Sequence, residues 1–509
     1  MFNFLVIIIY LYLYFYIIEV FMKETNDTMM QYFEWYLPND CMLWNKLTTM
    51  GPSLKKLGIN SIWLPPACKS AGGINDTGYG IYDLYDLGEF DQKSTIRTKY
   101  GTKEEYLQAI KALQNSGIKV LADIVLNHRF GADEKEELIA YKVDPNNRNE
   151  VIGTYRTIEA WTKFNFSGRN NVYSDLKLNW TDFNGIDYDD KEKENAIFRF
   201  YGKSWANDVD KELGNYDYLM GCDVDFNNLD VVNDLFTWGK WFLEQTDVDG
   251  FRLDAIKHIR SSFYKRFLHD LKVSTKKELF TVGEYFSCNV DSLLNYLDEN
   301  DEIDTLFDVP LHDHFKIASE SFGHYDMRKI FDDTLVDRRP SKCVTFVDNH
   351  DTEPGQSLES WIKDWFKPLA YAMILLRKDG IPCIFYGDYY GIPFKNIPPQ
   401  KEFLDVLLLA RKYLAYGDER NYFQNENIIG WVREGDYYHQ DSGLAVILSD
   451  GPGGSLFMNV GKNLANNVLY DCTGNVKETV YVDNDGNGIF YVNSGSVSIW
   501  IKKDNMYNL

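Results

Sequence analysis

Cysteine and histidine are sparse in this chain of 509 residues. The seven Cys, at positions 41, 68, 222, 288, 343, 383 and 472, form no C-x-x-C pair and no zinc spacing, which argues against a thiolate metal site or a disulfide framework. Cys343 and Cys383 fall inside apolar, strand-like runs, so free and largely buried thiols are expected, in a fold that does not depend on disulfides. Positive charge is short as well. Against 76 Asp and Glu stand 53 Lys and Arg, a net charge of −23 that disfavours nucleic acid and would repel an anionic substrate. A neutral substrate fits better. No sequence repeat or low-complexity tract interrupts the chain, and its 45% hydrophobic and 25% charged residues describe an ordinary globular protein of two to three domains.

One long apolar run is present, from Phe2 to Met22, broken by Asn3 and Glu19. No Lys or Arg precedes it and no small-x-small cleavage site follows. It reads as a signal, an anchor, or a mispredicted start with Met22 as the initiator. The compartment follows from that choice: cytoplasmic if Met22 is the start, secreted or membrane-anchored if the leader is real. Sequons at Asn26, Asn75, Asn165 and Asn179 would matter only in the secretory case.

The most informative stretch is Asp249-Gly-Phe-Arg-Leu-Asp-Ala-Ile-Lys-His258. It opens β-prone, and on a strand Arg252 and Asp254 share a face, so the guanidinium holds the carboxylate ionised and oriented. Val282-Gly-Glu-Tyr285 and Thr345-Phe-Val-Asp-Asn-His-Asp351 are likewise hydrophobic runs that end in acids. Three strands delivering carboxylates to one rim is the pattern of a parallel β/α barrel. The remaining periodicity agrees. Strands are expected at 28–35, 59–64, 118–126, 250–254, 278–284, 303–309, 342–348 and 381–386, each followed by a helix except the third, where an insertion follows. The sixth helix is expected near 327–335. Residues 129–225 are polar, aromatic-rich and irregular, and too long for a loop. The expected organisation is therefore a leader (1–22), a catalytic (β/α)8 TIM barrel (23–128 and 226–420), a domain inserted after strand 3 (129–225), and a C-terminal antiparallel β-sandwich (421–509) with turns such as Asp450-Gly-Pro-Gly-Gly454.

Four segments, Asp123-Ile-Val-Leu-Asn-His128, Gly250-Phe-Arg-Leu-Asp-Ala-Ile-Lys-His258, Gly283-Glu-Tyr-Phe286 and Phe346-Val-Asp-Asn-His-Asp351, resemble the signature regions of the α-amylase family, in its order and at strand ends. The likeness runs from about Gln31-Tyr-Phe-Glu-Trp-Tyr36 to the terminal β-domain, and Gly214-Asn-Tyr-Asp-Tyr-Leu-Met220 is similar to the bacterial liquefying type, particularly its cytoplasmic branch. The resemblance implies an endo-acting, retaining glycosidase with Asp254 as nucleophile, Glu284 as general acid/base and Asp351 as transition-state stabiliser. Physical chemistry is consistent with this: one carboxyl must be ionised and the other protonated, and Glu284, near two other acids and flanked by apolar groups, should titrate high. The implied substrate-binding set is Tyr79, stacking on the sugar, with His128, Arg252, Lys257, His258 and His350; the Lys257–His258 pair marks α-1,4-glucan binding on the leaving-group side. The implied metal is one structural Ca²⁺ held by Asn127, Asp217, Asp223 and the backbone carbonyl of His258, hard oxygen donors suited to that ion. Asn184, Ala206 and Asn227 replace the acids that would hold further ions. The implied partner is a starch- or glycogen-like glucan, acted on by a monomer with no obligate protein partner. Two other readings remain open: a related α-glucosidase or transglycosylase, and an inactive barrel serving as a membrane-anchored scaffold.

Overall fold

The computed structural model describes residues 26–507; the apolar leader lies outside the described residues. Eight parallel strands close into a barrel: β1 (Met29–Gln31), β2 (Ser61–Leu64), β3 (Lys119–Ile124), β4 (Gly250–Leu253), β5 (Phe280–Gly283), β6 (Thr305–Phe307), β7 (Cys343–Phe346) and β8 (Ile381–Phe385). Each pairs with its neighbours in sequence, and β1 pairs with β8 to seal the ring. The strands are short and almost wholly buried, as parallel strands covered by helices must be.

Local chemistry explains where the elements stop. The helix Lys103–Asn115 opens on a capping box, Thr102 with Glu105, and buries Tyr106, Ala109, Ile110 and Leu113 along one face. The sixth helix corrects the sequence expectation. It runs Val309–Ser321, directly after β6, and the region expected to be helical holds a single 3₁₀ turn, Met327–Lys329, and the four-residue helix Leu335–Arg338. Asp308 ends the strand and caps this helix by accepting from the Leu311 amide at 3.1 Å, and Pro310 sits in the first turn where its missing N–H is harmless. Asp-Val-Pro was the available start signal.

The stretch after β3 is not irregular. It forms a six-stranded sheet, ordered His128–Arg129, Cys222–Val224, Phe183–Asp189, Glu194–Phe200, Glu134–Lys142 and Arg156–Lys163. Its strands carry charge on the outer face, with cross-strand pairs such as Lys135–Glu159 (2.7 Å) and Lys142–Glu194 (2.5 Å). That charge hides the alternation in the sequence. The chain ends in a six-stranded antiparallel sheet and the hairpin pair Gly454–Asn459 with Asn487–Val492, which enclose a second core of Val432, Ile447, Met458, Phe490 and Trp500. All seven cysteines are free thiols. Among the described residues no helix is long and apolar enough to cross a membrane.

Candidate active site

The acids stand just beyond the carboxyl ends of β4, β5 and β7, where Asp254, Glu284 and Asp351 line one cavity of about 220 Å³. Arg252 on β4 organises two of them. It is completely buried, its Nη1 lies 2.5 Å from Asp254 Oδ1 and 3.0 Å from Asp123 Oδ1, and its Nη2 lies 2.9 Å from Glu284 Oε1. A planar guanidinium presents its donors in a fixed fork, so the two carboxyls gripped by its ends are held close together. Asp123 on β3 backs this arrangement, also accepting from Trp63 Nε1 (2.9 Å) and the Tyr79 hydroxyl (2.7 Å).

The backbone ties the two acids further. The Ala255 amide donates to Glu284 Oε2 at 3.0 Å, from a left-handed backbone conformation (φ 51°, ψ 38°) that costs a non-glycine residue about 1–2 kcal/mol. The strain is located directly after Asp254. Gly283 lets Ile256 pack against the strand: a Cβ there would meet Ile256 Cδ1 at 2.5 Å and force that side chain to shift. Glu284 N in turn donates to Leu253 O at 2.9 Å.

Burial raises all three acids. Asp254 is pushed up to about 6, with Arg252 pulling it back and Asp123 pushing it further up. Glu284 is raised by burial, lowered by Arg252 and raised by Asp254. Asp351 is raised well above the carboxylate range by burial and then by Glu284. Asp254 therefore remains mostly ionised at neutral pH, but through Arg252 and against burial.

Not every residue expected to touch substrate faces the cavity. Tyr79, His128, Lys257 and His258 line it; Arg252 and His350 are fully buried behind it. His350 lies parallel to Tyr79, ring centroids 4.8 Å apart, and Trp35 lies parallel to both at 6.1 and 6.2 Å. Because Gln31 Nε2 can only donate to His350 Nδ1 (3.1 Å), the His350 proton sits on Nε2, 3.2 Å from Asp351 Oδ2. His128 Nε2 donates to the Tyr79 carbonyl at 2.9 Å and His258 Nδ1 to the Tyr216 carbonyl at 2.6 Å; burial lowers these rings to about 4 and 3, so both are neutral. His128 thus has its Nε2 proton committed to protein while its ring lines the cavity. Lys257 Nζ is held by Glu212 Oε2 and Phe286 O, both at 2.9 Å, at the edge of an adjoining cavity of about 590 Å³ that continues past Tyr285. Sequence reasoning missed Trp35, Tyr216, Met220, Phe286, Gln356 and Leu358 as cavity walls, and Asp123 as the second anchor of Arg252. Trp35, Asp123, Tyr216, Met220 and Phe286 were inside recognised motifs. Gln356 and Leu358 come from a long loop, where no periodicity points inward.

Three of the expected calcium ligands, Asn127, Asp217 and Asp223, lie where the inserted sheet meets the barrel. Asn184 Nδ2 lies 3.1 Å from Asp223 Oδ2 and 3.5 Å from Asp217 Oδ2, and the Asn127 carbonyl accepts from Val224 N at 3.0 Å. Burial raises both acids, Asp217 to about 7, and Asp217 raises Asp223 further. Two buried side-chain carbonyls, Asn127 Oδ1 and Asn184 Oδ1, have no hydrogen-bond partner. Orphaned oxygens beside two facing carboxylates fit a hard cation. Among the described residues no group of three or more His, Cys, Asp or Glu forms a metal cluster; this donor set leans on amides instead.

Acids clustered around one guanidinium in a cavity at the carboxyl face of a closed parallel barrel define a glycoside hydrolase. The α-amylase catalytic-domain family matches residues 48–405, and the α-amylase C-terminal family matches 444–501. An α-amylase of Geobacillus stearothermophilus is 53% identical over 94% of this chain and 87% of its own length, and the cytoplasmic α-amylase of Escherichia coli K12 is 42% identical over 94% and 99%. In fold, the chain is similar to the crystal structure of an α-amylase from Geobacillus thermoleovorans complexed with acarbose, with a TM-score of 0.62 at 19% identity over 94% of this chain and 99% of that one. The chain belongs to the α-amylase family.

Proposed function

We propose that this enzyme cuts internal α-1,4-glucosidic bonds of starch, glycogen and maltooligosaccharides with retention of configuration. The observation that carries the reading is the single buried guanidinium joining Asp254 and Glu284. Retaining enzymes need two carboxyls close together, about 5–5.5 Å apart. Asp254, ionised at neutral pH, attacks the anomeric carbon; Glu284, raised by burial, protonates the departing glycosidic oxygen. The glycosyl–Asp254 ester is then hydrolysed by a water that Glu284 deprotonates. Asp351 binds ring hydroxyls and favours the distorted sugar. Tyr79 and Trp35 supply aromatic wall for the glucan, and Lys257 and His258 face its leaving-group side. The adjoining cavity at Lys257 leaves room for further sugar units on the leaving-group side of the cut.

Asn127, Asp217, Asp223 and the His258 carbonyl would hold one Ca²⁺, whose chemistry here is structural: it neutralises two buried acids and pins the inserted sheet to the barrel. The substrate is a neutral glucan, consistent with the acidic surface, and the enzyme acts as a monomer without nucleic acid or an obligate protein partner.

The test is reducing-sugar release from soluble starch with product sizing, for the protein and its Asp254→Asn variant. Mixed maltooligosaccharides, lost in the variant, are expected. Glucose alone would indicate an exo-acting glucosidase, and an inactive, folded, calcium-supplied protein would favour a binding scaffold.

A further inference from the structure

Glu34 and Glu353 are buried acids outside the catalytic group, 2% and 0% exposed. They grip consecutive amides of one turn: Glu353 Oε1 accepts from Trp35 N at 2.7 Å and Glu34 Oε2 from Tyr36 N at 2.5 Å. Glu353 Oε2 is buried with no partner. The two segments are joined again where the Tyr36 hydroxyl donates to Pro354 O and accepts from Gln356 Nε2, both at 2.9 Å. Among the described residues no cation bonds to either carboxyl. Lys99 faces Glu34 but donates to Asn39 Oδ1 at 2.6 Å, and Lys395 Nζ sits over the Tyr36 ring at 4.6 Å. On the other side Glu353 faces Asp351 and Asp348, the latter paired with Lys367 at 2.8 Å, and Glu34 faces Tyr100 and Tyr386. Two buried carboxyls on consecutive amides, with no cation bonded to them, cannot both ionise cheaply.

We propose that Glu353 is a positioning residue: by holding the Trp35 amide it fixes Trp35 as an aromatic wall of the sugar cleft. Trp35 lines the cavity, so this buried acid is connected to the parallel stack of Trp35, Tyr79 and His350. Burial, reinforced by Glu34, pushes Glu353 up to about 9, and burial pushes Glu34 up to about 7. Above that range both are charged, and the repulsion is relieved by moving the turn that carries Trp35. This inference rests on the cleft being the glucan site.

The experiment has two arms. In the first, the melting temperatures of the parent and Glu353→Gln are compared from pH 5 to pH 9. A folded-state value raised above 4.5 means stability is lost as pH rises towards about 9, and glutamine removes that loss. The advantage of Glu353→Gln should therefore widen with pH, whereas parallel curves would overturn a neutral Glu353 at the Trp35 amide. If that variant does not fold, Glu34→Gln relieves the same pair and should show a widening up to about pH 7. In the second arm, maltoheptaose binding is measured in Glu284→Gln and in Glu284→Gln/Glu353→Gln. The single variant should bind about tenfold more weakly at pH 10 than at pH 7, as expected for a misplaced aromatic plate, and the double variant should lose much less. Coincident pH profiles would overturn the positioning role. Error in the catalytic reading shows separately, as undiminished starch hydrolysis by Glu284→Gln.

Discussion

Arg252 is the residue on which the catalytic chemistry turns. It is fully buried against Asp123, Asp254 and Glu284, and its guanidinium lies over Trp63 at 4.9 Å. Deleting the cation leaves buried acids unpaired, a change that costs about 3–5 kcal/mol in comparable sites. Arg252→Gln should lower the unfolding midpoint in denaturant and reduce kcat by at least about a hundredfold, the penalty for displacing preorganised groups. Asp123 allows a subtler check. Its charge raises Asp254, so Asp123→Asn should lower the Asp254 value from about 6 and move the acid limb of the kcat/KM profile to lower pH. An unmoved limb would mean that Asp254 does not set it. The pairing of Arg252 with Asp254 was legible from the i, i+2 spacing on a strand. That Arg252 is fully buried behind the cavity, and shared with Glu284, was not, because neighbours across a barrel leave no mark on spacing.

At the scale of elements, the barrel was readable because its strands are apolar runs closed by loop chemistry and its helices carry a 3.6-residue period. The inserted sheet was not, because strands such as Glu134–Lys142 bury only Leu138 and Ala140 and write charge where alternation would be sought. The helix Val309–Ser321 was missed because β6 passes into it without a loop, with Asp308 serving as the junction. The junction between inserted sheet and barrel carries the calcium prediction. Asp223 pairs across the sheet with His128, one residue beyond Asn127, so a cation there would tie Cys222–Val224 to the end of β3. Removing it with a chelator should lower the melting temperature, and added Ca²⁺ should restore it. Asp223→Asn should shrink that calcium-dependent shift whatever it does to activity. A melting temperature indifferent to chelator would exclude a structural ion at this site.

At the scale of the molecule, the terminal β-domain is continuous with the barrel's core. The helix Lys367–Leu376 has every residue but Pro368 buried, so one face meets the barrel and the other must be covered from outside. The cover is the terminal sheet: Trp431 is fully buried and donates from Nε1 to the Leu376 carbonyl at 3.1 Å, and Val446, Leu448, Val497 and Ile499 join the same hydrophobic cluster as Ala372 and Met373. Within that helix, Lys367 reaches inward to Asp348 at 2.8 Å and also pairs with Asp388, fixing the loop that leads from β7 to Asp351. Packing of the terminal sheet therefore supports, through one helix, the loop that carries an active-site acid. Trp431→Ala removes a large side chain at this seam, which costs about 3–5 kcal/mol for a buried aromatic. Because the seam belongs to one core, calorimetry should show the barrel and terminal domain unfolding together in the parent. In Trp431→Ala the joint transition should move to lower temperature, with starch hydrolysis lost over the same interval. Two separate transitions in the parent, or a variant in which the terminal domain alone melts early while hydrolysis persists, would show that the sheet covers the barrel without supporting its active site.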